Sequence, residues 1–321
     1  MISEFDVIAR YFQGHGPVRD DVVLGIGDDA ALLQPPAGKR LVTAIDTLVA
    51  GRHFPAGTDA ADIGYKALAV NLSDLAAMGA TPAWATLALT LPAAQEAWLQ
   101  AFSEGFFSLA TEHRIALVGG DTTRGPLSVT VQLQGYIEPG RALRRDAAAA
   151  GQALFVSGTL GDAAQALSLL QTQGEAPDAG LQRLNRPAPR VALGQALAGV
   201  ASAAIDISDG LLADVGHILA ASGCGATLWP ERLPASTALR ALPDEARLKY
   251  QFNGGDDYEL CFSVAPEQRE ALQSLLQQQT VPVTEIGIIE AETGLRCRYP
   301  DGRVEPAVDQ GYDHFHETND E

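Results

Sequence analysis

Tyr65 to Pro92 reads YKALAVNLSDLAAMGATPAWATLALTLP. Its first half is an apolar stretch of helical length. It continues a segment that Asp59 or Asp62 starts, runs through Met78 and is ended by Gly79. Its second half, WATLALTL (Trp84 to Leu91), alternates as a strand does. A helix followed at once by a strand calls for a sheet with helices packed on it.

The same mixed order extends in both directions. Ser3 caps a helix with Phe5, Ile8, Ala9 and Phe12 on one face. Strand-like runs follow at 22–26 and 41–46. Beyond the opening stretch, Pro92 opens a helix to about His113, with Trp98, Phe102 and Phe106 at helical spacing, and strands at 115–118 and 127–137 complete this half. Residues 138–151 read as a connector with Pro139-Gly140, Arg141, Arg144 and Arg145, then a run of four alanines. A second half begins at ALFVSG (Ala153 to Gly158). Helices are expected near 161–173, 190–199 and 211–222, and strands near 225–229, 259–264, 283–289 and 295–299. Gly174 to Pro189 is polar and reads as a loop; the tail after Asp313 reads as frayed. The 321 residues exceed one ordinary core. The expected fold class is therefore α/β (α+β) in two domains: 1–137, a linker at 138–150, 151–305, and a tail at 306–321.

The net charge of −18 argues against nonspecific nucleic-acid binding, which needs a basic surface. No apolar run approaches the roughly 20 residues that span a bilayer. The N-terminus MISEFDVIARYF has no apolar signal core, so a cytoplasmic protein is expected. Cys224, Cys261 and Cys297 are too scattered for a disulfide framework or a CxxC metal site, and they read as buried free thiols. Only Lys39, Lys66 and Lys249 are lysines, and no GxxxxGK[ST] occurs. Any phosphate handling must fall to cations bound by carboxylates and to arginines.

Six apolar runs end in glycine, aspartate or both: VVLGIGDD to Asp29, LVTAID to Asp46, AVNLSD to Asp74, IALVGGD to Asp121, AIDISDG with Asp206 and Asp209, and FNGGDD with Asp256 and Asp257. Each reads as delivering a carboxylate to a turn. Such aspartates also cap helices or stabilise Asx turns. Gathered together, they suit magnesium, which takes one or two carboxylates, several waters and substrate phosphates. Gly25-Ile26-Gly27-Asp28-Asp29-Ala30 matches the dinucleotide pattern G-x-G-x-x-[GA], but two negative charges would stand where a pyrophosphate must approach. Gly119-Gly120-Asp121-Thr122-Thr123 is the most phosphate-like loop. Arg124, Arg141, Arg144 and Arg145 are cations able to fork onto phosphate, or else a solvated linker face. His53 follows a glycine turn and is either structural or a substrate contact. Ser73-Asp74 and Ser208-Asp209 each read as opening a helix, a faint internal echo.

GIGDDAALL, DTLVAGRHF, the opening stretch, VGGDTTRGPLSVTV, AIDISDGLLADVGHI, GGDDYELCF and the terminal GYDHF together resemble the bacterial thiamine-monophosphate kinases. These belong with the aminoimidazole-ribonucleotide synthetase-like ATP-binding proteins. The resemblance covers nearly the whole chain. It implies two α/β domains, each a mixed sheet with helices, and a homodimer pairing through the N-terminal domains. It implies ATP and thiamine monophosphate as substrates and several Mg2+ ions. By position, Asp29, Asp46, Asp74, Asp121, Asp206 and Asp209 correspond to magnesium ligands, with Asp46, Asp74, Asp121 and Asp209 closest to the chemistry. Gly120, Asp121, Arg145 and Ser208 correspond to nucleotide contacts. His53, Asp256 and Tyr312 correspond to contacts with the thiamine phosphate. Two positions depart from the pattern. Ala44 and Ile45 stand where hydroxyl residues often assist the metal, and Asp256 is one methylene shorter than the usual glutamate. The rivals are a selenophosphate synthetase, against which the absence of any cysteine before Cys224 argues; an aminoimidazole-ribonucleotide synthetase; and a non-catalytic acidic metal-binding module.

Overall fold

The computed structural model describes residues 3–307. Two compact units form, Met1–Ala142 with Asn185–Val191, and Leu143–Leu184 with Ala192–Glu321.

The first unit opens with α1 (Glu4–Tyr11). Ser3 Oγ accepts the Asp6 N–H at 3.2 Å, and the Asp6 carboxylate accepts the Ser3 N–H at 3.1 Å, a reciprocal capping box. The cap is where expected, but the buried stripe is Val7, Tyr11 and Phe12, while Phe5 is 78% exposed. Val7 and Tyr11 stack one turn apart; Phe5 lies two residues back, about 200° round the helix.

The chain continues through β1 (Val22–Leu24), β2 (Leu32–Leu33), β3 (Arg40–Val49), α2 (Ala60–Ala77), β4 (Thr81–Leu91), α3 (Glu96–Glu112), β5 (Ala116–Arg124) and β6 (Ser128–Ile137). The mixed sheet runs β3-β6-β4-β5, with only β4 and β5 parallel; β1 and β2 pair separately. Val129, Val131, Leu133 and Ile137 alternate inward along β6. Asp59 caps α2 by accepting the Ala61 N–H at 3.1 Å. Helices α2 and α3 meet backbone to backbone. A Cβ on Gly64 would stand 2.1 Å from the Phe102 carbonyl oxygen, and one on Gly105 would stand 1.8 Å from that of Ala61.

The following elements are β7 (Ala153–Ser157), α4 (Asp162–Gln173), α5 (Asp178–Asn185), α6 (Val191–Leu197), β8 (Ala203–Ile207), α7 (Leu211–Ser222), β9 (Gly225–Leu228), α8 (Thr237–Arg240), α9 (Asp244–Asn253), β10 (Glu259–Val264), α10 (Arg269–Leu276), β11 (Val283–Glu290), β12 (Gly294–Arg298) and β13 (Val304–Pro306). The sheet order is β13-β12-β9-β11-β7-β10-β8, with only β9 and β12 parallel. Leu154, Val156, Ile205, Ile207, Val215, Ile218, Leu228 and Ile286 form its core. Cys224, Cys261 and Cys297 are buried and unpaired with one another. The expected loop at 174–189 contains α5. That helix is polar because it buries one narrow stripe, where Leu184 meets Ala163 and Ala166. The tail after Asp313 lies outside the described residues.

Candidate functional site

In the first unit, Asp28 and Asp29 are exposed between β1 and β2, and Asp28 Oδ1 accepts the Asp29 N–H at 2.8 Å. The chain then returns as β2, antiparallel to β1. The Gly25 motif therefore lacks the helix N-terminus that a dinucleotide pyrophosphate needs.

Three aspartates stand in regular structure where turns were expected. Asp46 is inside β3, half-buried, because the strand runs on to Val49 against β6. Asp121 is exposed inside β5, since Gly119 to Arg124 pair with Thr86 to Leu91. The two glycines serve that pairing. A register shift leaves Val118 without a partner, and Gly120 (φ +152°) lies so close to β4 that a Cβ would stand 1.8 Å from the Leu87 oxygen. Asp74 sits half-buried in the last turn of α2, where its carbonyl accepts the Met78 N–H. Ser73-Asp74 does not open a helix; the apolar face continues without a break from the Asp59 cap. The echo with Ser208-Asp209 therefore fails. Asp46 and Asp121 occupy the two edge strands. Pairing places Asp46 in a row with Val131, Leu87 and Gly120, and Asp121 in the next row with Ala88, Thr130 and Thr47.

His53 Nδ1 accepts the Val49 N–H at 3.0 Å, which leaves Nε2 as the protonated nitrogen of the neutral ring. Its carbonyl accepts from the Lys66 ammonium at 3.2 Å, and Lys66 is 2% exposed.

The second unit groups the remaining residues more closely. Arg144 bridges edge strand β8, with its carbonyl accepting the Ala204 N–H, and this sets the exposed Arg145 beside β8. Arg144 itself is engaged with Asp146. Asp206 is buried near the end of β8, and Ser208, Asp209 and Gly210 form the loop into α7. The Asp256 N–H donates to the Ser208 carbonyl at 2.9 Å, and the Tyr258 N–H to that of Ile207 at 2.8 Å. Asp256 (φ 67°) and Tyr258 (φ 50°) both hold left-handed backbone, a strained state for residues with a Cβ. Tyr312 lies outside the described residues.

Asp214, Arg183 and Glu259 went unread in the sequence, and Asp257 read only as a turn aspartate. Asp214, within α7, is buried, and burial together with nearby Asp206 and Asp209 pushes it up to about 7. Asp257 accepts the Gly161 N–H at 2.8 Å; burial drives its pKa well above the carboxylate range, against the opposing pull of Arg183. Arg183 pairs at 3.0 Å with Glu259, which is fully buried and accepts from Ser157 Oγ at 2.6 Å. The available signal was a lone acid inside an apolar run, as in LLADVGHIL and YELCF.

Among the described residues, no three histidine, cysteine or acidic side chains converge to hold a metal. The donors nonetheless fit magnesium, which needs few protein ligands and prefers hard oxygens. Asn71 adds an oxygen of that type: Oδ1 is buried without a hydrogen-bond partner one helical turn before Asp74.

The two halves match two family models in sequence order. Residues 27–137 match the AIR synthase related protein N-terminal domain, and 149–300 its C-terminal domain. The class is therefore the AIR synthase related proteins. The chain is 51% identical over 319 residues to the thiamine-monophosphate kinase of Salmonella typhimurium, covering 98% of each. The crystal structure of thiamine-monophosphate kinase from Stenotrophomonas maltophilia superposes with a TM-score of 0.84 at 54% identity, over 90% of this chain and 93% of that one. AaThiL complexed with AMPPCP and TMP gives 0.77 at 32% identity, over 90% and 92%. The chain belongs to the thiamine-monophosphate kinase family.

Proposed function

We propose that this chain transfers the terminal phosphoryl group of ATP directly to the phosphate of thiamine monophosphate, forming thiamine diphosphate and ADP. The observation that carries the reading is the match along 98% of the chain to a thiamine-monophosphate kinase, across both carboxylate groups. A relative complexed with AMPPCP, an ATP analogue, and TMP supports the same pair of substrates. The synthetase rivals are not favoured, because relatives at 42% to 51% identity over 98% or more of the chain are thiamine-monophosphate kinases.

Asp29, Asp46, Asp74 and Asp121 in the first unit, and Asp206 and Asp209 in the second, would hold magnesium. When bound, magnesium neutralises the repulsion between two phosphates and stabilises the transferred group. The acceptor phosphate is largely ionised near pH 7, its second pKa being about 6, so no strong protein base is required. His53 would offer its Nε2 proton to the acceptor phosphate. Gly120, Arg145 and Ser208 would position the nucleotide, and Asp256 the thiamine phosphate. A cytoplasmic setting belongs to this reading; among the described residues no helix is long and apolar enough to cross a membrane.

A homodimer through the first unit is part of the proposal. Leu41 (57% exposed), Ile45 (61%) and Val49 (38%) line the outer face of edge strand β3. An exposed apolar edge of this kind favours a covering partner.

The test is ATP consumption with and without thiamine monophosphate, with thiamine diphosphate identified by chromatography. Dependence on thiamine monophosphate is expected. Equal ATP consumption in its absence, or none under any condition, overturns the reading. Trapping a radiolabelled phosphoprotein on the reaction path would overturn direct transfer.

A further inference from the structure

We propose that Asp214 is a positioning residue, whose buried carboxylate holds the Ser208–Gly210 loop in the shape that presents Asp206, Ser208 and Asp209. The inference rests on the kinase reading for what the loop binds, but not for how it is held.

Helix α7 begins after Gly210, which has no side chain to cap it. Its first N–H groups and those just before it need acceptors. Asp214, in the first turn, reaches back to supply one. Its Oδ2 accepts from the N–H groups of Ser208 at 3.0 Å, Asp209 at 3.1 Å and Gly210 at 3.2 Å. Successive N–H groups aimed at one point form a concavity that ordinarily holds an anion. Here the chain fills it with its own carboxylate. Those backbone donors are engaged by Asp214, so they are not the groups that meet a phosphate.

The placement is costly on packing grounds alone. Asp214 is 2% exposed and shares its helix with buried Leu211, Leu212, Val215, Ile218 and Leu219. Burying a carboxylate there is expensive unless hydrogen bonds compensate it. Asp206 and Asp209 add like charge nearby. The three hydrogen bonds are the compensation, and what they achieve is the shape of the loop.

That shape is tightly determined. Gly210 has φ +123°, and a Cβ there would stand 2.9 Å from the Asn253 backbone. The Ser208 carbonyl in turn accepts from Asp256, and that of Ile207 from Tyr258. Releasing Asp214 therefore disturbs the Asp206–Asp209 group and the strained 256–258 segment together.

The test uses the full-length chain with D214A and D214N, because asparagine keeps an acceptor oxygen of the same reach. Amide hydrogen exchange across 208–210 is read first, with no substrate present. Protection is expected in the wild type and in D214N, and its loss in D214A. Steady-state kinetics should then show kcat/KM falling by about 10- to 100-fold in D214A, the range for lost outer-shell support. KM for both substrates and the half-saturating magnesium concentration should rise, and D214N should recover most of each. A purely structural role would lower the melting temperature or the active fraction and leave both KM values and the magnesium midpoint in place; that result overturns the proposal. Fast exchange at 208–210 in the wild type overturns it too, even if D214A fails to fold. Failure of the kinase reading is seen separately, as no thiamine diphosphate formed by the wild type.

Discussion

Asp121 is exposed on β5, so replacing it touches the proposed chemistry without touching a core. D121N should lower turnover by about 100-fold or more, a usual cost of losing one electrostatic contact to a reacting group. Its unfolding free energy should stay within about 0.5 kcal/mol of wild type, as for ordinary surface substitutions. Near-normal turnover with an unchanged magnesium titration would remove Asp121 from the ligand set. D74N should show the same loss of turnover. His113 supplies a pH prediction. Burial lowers its pKa below 6.5, outweighing the pull of Glu112. The folded state therefore favours the neutral ring. As pH falls below 6.5 the unfolded chain takes up the proton first, so this contribution is intact above that pH and is lost below it. Urea unfolding at several pH values should show wild type losing stability relative to H113N on acidification below 6.5. Parallel profiles would exclude the effect.

Between elements, glycine decides how closely two backbones approach. The crossing of α2 and α3 has no room for a Cβ at Gly64 or Gly105. G105A should cost about 1–3 kcal/mol, the usual range for overpacking. Gly216 in α7 meets nothing within 4 Å, so G216A should stabilise by about 0.5–1 kcal/mol through helix propensity. Urea midpoints that move in the same direction for both variants would contradict this account. Gly120 belongs to the same class. Gly-Gly-Asp looks like a phosphate turn in sequence because glycine also marks turns, and only the pairing of β4 with β5 shows that it serves a close approach.

For the whole molecule, the proposed dimer is the open quantity. The wild type should sediment as a dimer, and the double variant L41D/I45D should sediment as a monomer with its circular dichroism retained. A wild-type monomer at micromolar concentration would remove the dimer from the proposal. Loss of activity together with dimerisation would indicate that the assembly completes the site, whereas an active monomer would make the outer face of β3 a solubility question alone.

The elements were readable wherever one local rule sufficed. A helix start at Asp59 or Asp62, the Gly79 stop, the β4 alternation and the strand at 259–264 depend on neighbours a few residues apart, and the structure has each of them, with Asp59 as the cap. The AIR synthase related class and the kinase family were legible because long motifs recur in order along the whole chain. The settings of the individual aspartates were not. Asp46, Asp74 and Asp121 end apolar runs in sequence, but strand pairing and helix packing carry those runs past them. Asp214 gave little signal and Asp257 read only as a turn aspartate, because a buried carboxylate is explained only by donors that folding brings to it: the 208–210 amides for one and Gly161 for the other. Short-range propensity and motif order determined the elements and the family. Long-range hydrogen bonding and close backbone contact, which no local stretch encodes, decided where each carboxylate stands.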